Sequence, residues 1–267
     1  MTTHTAGGDE MTNTVFDPCE LEQKVKAMYQ SVAEDPHGEF HFEMGRALAE
    51  RLGYTPAELD RVPLPSIESF AGVGHHFDLA GPNAGESVLD LGSGSGMDTF
   101  VAALRVGPQG QVVGVDMTDA QRAKAERLRD AHGFPQVVYV GGYIEDVPQA
   151  DASVDVVISN GVINLSADKP AAFREAARLL RPGGRLAISD IVSERQLPDG
   201  IVCNATLWAA CIGGAAQQDD YRGMIEDAGL RVVRMRDNPA YRFLSENARA
   251  ACAKYGVKSV SVLAVKA

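Results

Sequence analysis

From residue 86 onward, short runs of Val, Ile and Leu alternate with amphipathic stretches, and that alternation leaves few folds open to the chain. The runs are SVLDL (87–91), QVVGVD (111–116), QVVYVG (136–141), VDVVISN (154–160), GRLAISD (184–190), RVVRMRD (231–237) and SVSVLAVK (259–266). Helical periodicity over 97–105, 118–131 and 168–180 fills gaps among the first five. Strands this apolar are buried on both faces, which requires a mostly parallel sheet with helices on each side. The last two runs are separated by a long segment without a βα unit, so the final strand is expected to run antiparallel at the sheet edge. The predicted fold class is α/β: a doubly wound, Rossmann-like sheet of seven strands behind an N-terminal helical segment.

That segment covers residues 15–85 and has a different pattern. LEQKVKAMYQSVAED and EFHFEMGRALAERLG both carry helical periodicity, and Gly53 ends the second. TPAELDRVP reads as a short helix begun by Thr55 as N-cap and closed by Pro63. The segment is expected to lie as a lid over a pocket of the sheet domain, 86–267. Residues 1–14 are polar, with neither a cationic start nor an apolar segment, and read as a frayed tail and not a secretory signal.

Composition narrows the partners. A net charge of −11 argues against nucleic acid or an anionic membrane, since both require a basic surface. No apolar stretch reaches the roughly 20 residues of a membrane span. The four cysteines, at 19, 203, 211 and 252, show no zinc spacing, and a cytosolic protein with free thiols is expected. His37 and His41 fall four apart beside Glu39 and Glu43, but Pro36 and Gly38 interrupt the helix and no further ligand cluster is evident. A solvated face is expected there, with no metal.

The chemistry gathers at DLGSGSG, Asp90 to Gly96, between the first strand and the helix that begins near Met97. Glycines 92, 94 and 96 let the backbone turn tightly and approach a ligand, while the helix start offers free N–H groups. The spacing is GxGxG, and Met97 stands where a dinucleotide fingerprint has its third glycine. Asp90 would repel a pyrophosphate but attract a cationic amino-acid group. Asp116 ends the next strand about twenty residues on, where a carboxylate suits two ribose hydroxyls. An acidic, ribose-gripping pocket without a pyrophosphate cradle describes S-adenosylmethionine better than a nicotinamide dinucleotide.

Further groups fall at other strand ends. In GGYIED, Ile144 is expected to cover an adenine and Glu145 or Asp146 to accept from its amino group. Asn160 closes the fourth run beside the crevice where strand order should reverse. Ser93 and Met117 complete the expected donor-binding set. Asn160-Gly161 is also an ordinary turn pair, and Glu145 could cap a helix.

Residues 87–190 resemble a class I S-adenosylmethionine-dependent methyltransferase, with VLDLGSGSG, VVGVDMT and LLRPGGRLAISD as the class motifs. More narrowly, VLDLGSGSGMDTFVAA, GVDMTDAQ, GYIED, ISNGVINLSADK, LWAACIGGA and YTPAELDRVP are similar to the arsenite methyltransferase family. The resemblance implies a thiol-lined acceptor site beside the methyl donor. Cys211 in AACIGGA matches one family cysteine, whereas the other two positions hold His75 or His76, in GVGHHFDLA, and Ile163. Cys203 cannot replace a missing thiol on a continuous helix, because eight residues separate it from Cys211 by about 12 Å. Tyr29 and Trp208 are candidate acceptor contacts, although aromatics on amphipathic helices also serve as core.

These readings converge on a methyltransferase acting on a small, soft nucleophile: arsenite, a thiol, sulfide or selenide. Two alternatives stay open. One is an O- or N-methyltransferase using His75 or His76 as base; the other is a non-catalytic protein that binds the donor or arsenic.

Overall fold

The computed structural model describes residues 18–202 and 212–267. Its centre is one eight-stranded sheet. The strands are β1 (Ser87–Leu91), β2 (Gln111–Asp116), β3 (Val137–Gly141), β4 (Val154–Asn160), β5 (Leu180–Ser193), the two-residue β6 (Ala216–Gln217), β7 (Leu230–Asp237) and β8 (Lys258–Lys266). Their order is β3-β2-β1-β4-β5-β8-β7, with β6 paired to β5. Strands β1 to β5 are mutually parallel, and β8 is antiparallel to both its neighbours.

The antiparallel strand is therefore internal and not at the edge. The side chains give the reason. β8 is buried along Ser259 to Ser261 and Val262, as an inner position demands, whereas β7 exposes Arg231, Val233 and Arg234. Charged side chains suit a sheet edge because they discourage further strand pairing.

Alternation along each strand feeds two core layers. Leu89, Val113, Val157 and Ile188 face one side, and Val88, Val112, Val156 and Ala187 the other. Five helices precede the sheet in the chain: α1 (Pro18–Glu34), α2 (Arg46–Leu52), α3 (Pro56–Leu59), α4 (Leu64–Glu68) and α5 (Phe77–Ala80). The crossovers are α6 (Met97–Val106), α7 (Asp119–His132) and α8 (Lys169–Leu179). Beyond β5 come α9 (Asp199–Val202), α10 (Gln218–Asp227) and α11 (Glu246–Tyr255). Leu48, Tyr54 and Phe77 of the N-terminal segment share one core with Phe100 of α6 and Val88 of β1. The opposite layer packs Phe173 of α8 against Tyr221 of α10.

The N-terminal segment departs from its pattern between residues 39 and 45. A helix was expected over 39–53, and only Arg46–Leu52 is helical. Gly45, at φ +82°, holds a left-handed backbone that interrupts the turn. The aromatic residues before it pack by stacking instead: Phe40 on Phe42 at 5.6 Å and Phe42 on Tyr29 at 6.3 Å. This also removes the helical spacing on which a His37–His41 ligand pair depends. Thr55 does cap α3, within a full capping box with Glu58.

Candidate functional site

Because β1 lies between β2 and β4, chain connections leave it in opposite directions, and a crevice opens at its carboxyl end. The glycine loop fills the floor of that crevice. Gly92 N and Ser93 N both donate to Val115 O, at 2.8 and 2.9 Å, which folds the loop back over β2. Gly92 has φ +71°, and a β-carbon there would lie 2.5 Å from the methyls of Val162. Gly94 differs: a β-carbon would meet nothing nearer than Gln121 Oε1 at 3.9 Å, so this face of the loop is open. Asp116 fixes the loop from β2. Its Oδ2 accepts from Gly94 N at 2.9 Å and its Oδ1 from Thr118 N at 2.8 Å.

Above the loop is a cavity of about 350 Å³. Of the residues singled out from sequence, Asp90, Gly92, Ser93, Gly94, Asp116, Met117, Ile144, Glu145, Asn160 and Tyr29 line it. Gly96 lies just behind as the N-cap of α6, against the hydroxyl of Tyr139. The roof is α1, through Leu21, Val25 and Tyr29. Its carboxyl-terminal half is held by polar contacts to its main chain: Gln121 Nε2 to Tyr29 O at 2.9 Å, Lys124 Nζ to Ala33 O at 3.0 Å, and Ser69 Oγ to Val32 O at 3.1 Å. Toward its start, Glu22 accepts from Tyr143 Oη at 2.7 Å, and Lys26 lies 2.8 Å from the same hydroxyl.

One lining group and the side chain that holds it escaped the sequence reading. Asp98, in the first turn of α6, lines the cavity beside Asp90 and is buried. Tyr54 Oη donates to its Oδ1 at 2.5 Å, and Asn160 Nδ2 donates to its Oδ2 at 3.0 Å. The available signal was an acid two residues after the last loop glycine. Asn160 is itself fully engaged: its Oδ1 accepts from Val73 N at 2.8 Å and Gly74 N at 3.3 Å, and its Nδ2 also reaches Gly74 O at 3.0 Å.

Burial sets the electrostatics. It pushes Asp90 well above the usual carboxylate range, helped by the neighbouring charge of Asp98. Burial likewise raises Asp98 to about 6, against the lowering effect of its bonds to Tyr54 and Asn160. Asp116 is also raised by burial. A floor that carries three such carboxylates gains by receiving a cation.

His75 and His76 are not brought to the cavity. His76 is fully buried, stacked on Phe77 at 4.7 Å, and neither ring nitrogen has a hydrogen-bond partner. Burial lowers it from 6.5 to about 3, so the folded protein holds the neutral ring. His75 packs edge-on against Tyr54 at 4.7 Å, and burial lowers it too. Ile163 is 1% exposed in the core. Cys203, Trp208 and Cys211 lie outside the described residues.

The His76 arrangement has a measurable cost. Below pH 6.5 the unfolded chain takes a proton that the folded chain refuses down to about 3, so stability falls as pH drops through that window. Urea unfolding at pH 6.5 and pH 5 is expected to show His76→Phe gaining about 2 kcal/mol relative to the natural chain at the lower pH. An unchanged difference would show that His76 titrates normally.

A family model described as a methyltransferase domain matches residues 82–229, more than half of the chain. The chain belongs to the class I S-adenosylmethionine-dependent methyltransferases. Arsenite methyltransferases are among its relatives. That of Halobacterium salinarum is 41% identical over 185 residues, covering 69% of this chain and 47% of the relative. That of Aquipseudomonas alcaligenes is 46% identical over 158 residues, covering 57% and 46%. The chain thus spans about half the length of the curated relatives it matches. The crystal structure of an arsenic(III) S-adenosylmethionine methyltransferase from Chlamydomonas reinhardtii superimposes with TM-score 0.62 at 32% identity, covering 84% of this chain and 74% of that one.

The wall of this methyltransferase fits the family's methyl donor. Ser93 lines the cavity, and its Oγ is buried against Gly114 of β2 with no hydrogen-bond partner. The open face of Gly94 admits close approach, and the three carboxylates suit a cationic amino acid and a vicinal diol. Ile144, buried at the far end, offers an apolar surface of the kind a purine requires.

Proposed function

We propose that the chain moves the sulfonium methyl of S-adenosylmethionine to a small, soft nucleophile: arsenite, a thiol, sulfide or selenide. The observation that carries this reading is the cavity, with its glycine loop and carboxylates as floor and the apolar face of α1 as roof. The names of the relatives put arsenite first within that class.

When bound, the donor supplies a methyl group already activated on a cationic sulfur. What remains for the protein is to hold two partners in line and exclude water. In this reading Asp116 accepts from the ribose hydroxyls, Ile144 covers the purine and Glu145 accepts from its amine. Asp90, Ser93 and the loop amides take the amino-acid end, with Met117 packed beside the ribose. Tyr29 and the apolar residues of α1 close the acceptor side. A soft nucleophile needs little or no general base, in keeping with two histidines that face away from the cavity. Cys211, through the family resemblance, is proposed as a thiol that meets the acceptor, and the localisation proposed is cytoplasmic.

Calorimetry with S-adenosylmethionine followed by a panel of acceptors tests the reading. Arsenite, methanethiol, sulfide and a small phenol are supplied, and methylated product and S-adenosylhomocysteine are measured. The expected result is donor binding, with turnover on arsenite or another soft acceptor and none on the phenol. Turnover on the phenol alone would replace the soft-acceptor reading with a base-assisted one. Donor binding without turnover on any acceptor would make the chain a binding protein.

A further inference from the structure

We infer that Asp98 is a second carboxylate ligand for the donor's α-ammonium group, and that Tyr54 is the positioning residue that aims it. This inference rests on the donor reading above. Its ground is the layout of the cavity. The adenosine-facing groups Asp116, Ile144 and Glu145 stand at the ends of β2 and β3, on one side of the glycine loop. A ligand held there must lay its amino-acid end across the loop, into the crevice between β1 and β4. Asp90 and Asp98 line that crevice together, with Gly92, Asn160 and Val162 around them.

The carboxylate of Asp98 is prepared for a cation. It takes one hydrogen bond on each oxygen, from Tyr54 Oη at 2.5 Å and from Asn160 Nδ2 at 3.0 Å, which leaves lone pairs on both. These bonds fix the side chain in one orientation, so no rotamer freedom is lost on binding. Tyr54 is 1% exposed and wedged among Phe70, His75 and Phe77, so its hydroxyl has one direction available. Two carboxylates in one dry crevice repel each other until a cation enters between them. A group bearing one positive charge and several N–H donors relieves that repulsion and satisfies both.

The experiment compares three ligands on three proteins by calorimetry. The ligands are S-adenosylmethionine, S-adenosylhomocysteine and 5′-methylthioadenosine, the last lacking the ammonium and the carboxylate. The proteins are the natural chain, Asp98→Asn and Tyr54→Phe. For Asp98→Asn the two amino-acid-bearing ligands are expected to weaken by about tenfold or more, and 5′-methylthioadenosine by less than about twofold. Tyr54→Phe should shift the same ratio by about threefold. The readout is a ratio within each protein, so partial unfolding of a variant does not imitate it. Equal weakening of all three ligands overturns the inference and makes Asp98 structural. Natural affinity for all three, with turnover lost, overturns it in favour of a base. Failure of the natural chain to bind any of the three would overturn the donor reading itself, and this inference with it.

Discussion

Replacing Asp116 by Ala is expected to weaken S-adenosylmethionine binding by about a hundredfold. Asp116 acts twice. Its two oxygens hold Gly94 N and Thr118 N, so it sets the shape of the glycine loop and of the turn into α7. The same oxygens face the cavity, where two ribose hydroxyls would bond to them. Hydrogen bonds to a charged acceptor contribute about 1.5 kcal/mol or more each, so losing two costs about 3 kcal/mol. Asp116→Asn keeps the size of the side chain but turns one acceptor into an amide nitrogen, which loses one of the two main-chain bonds and one ribose bond, and should fall between. Calorimetry checks both, with circular dichroism to confirm the fold. Affinity within about threefold of the natural chain for Asp116→Ala would remove the residue from the donor site.

Gly92→Ala is expected to destabilise the whole protein by about 3 kcal/mol. Two costs combine. At φ +71° an alanine pays about 1 kcal/mol for a left-handed backbone. Its β-carbon would also lie 2.5 Å from both methyls of Val162, an overlap worth about 2 kcal/mol in a packed site. For a chain of this size the loss corresponds to a drop in Tm of about 8 °C. Val162 lines the cavity, so its displacement should also weaken donor binding. The double variant Gly92→Ala/Val162→Ala removes the overlap and leaves the backbone cost. It is expected to regain part of the lost Tm, and no recovery would show that the overlap is not the cause.

The parts legible in sequence were those with a local physical signature. The apolar runs located seven strands to within a few residues, since burial on both faces demands unbroken Val, Ile and Leu. Loop glycines and the acids at strand ends announced the cavity wall for the same reason. What stayed hidden depends on distant partners. The place of β8 follows from β7 being charged enough to take the edge, a comparison between strands and not a property of either. Asp98 resembled an ordinary first-turn helix acid. Only the approach of Tyr54, 44 residues away, marks it as part of the site. His75 and His76 drew attention as polar residues before the first strand, yet the fold spends one on packing against Phe77 and the other against Tyr54.

The hydrogen bonds of Asn160 carry one more consequence. One side chain at the end of β4 ties together the main chain at Val73 and Gly74, the acid of α6 and, at 3.2 Å, the hydroxyl of Tyr54. Residues 48–80 of the N-terminal segment also share one core with the sheet. The change of pattern near residue 85 is therefore a change of grammar that does not mark the edge of a separate core. Residues 46–80 have no apolar interior of their own to fall back on, and the crevice has no second wall without them.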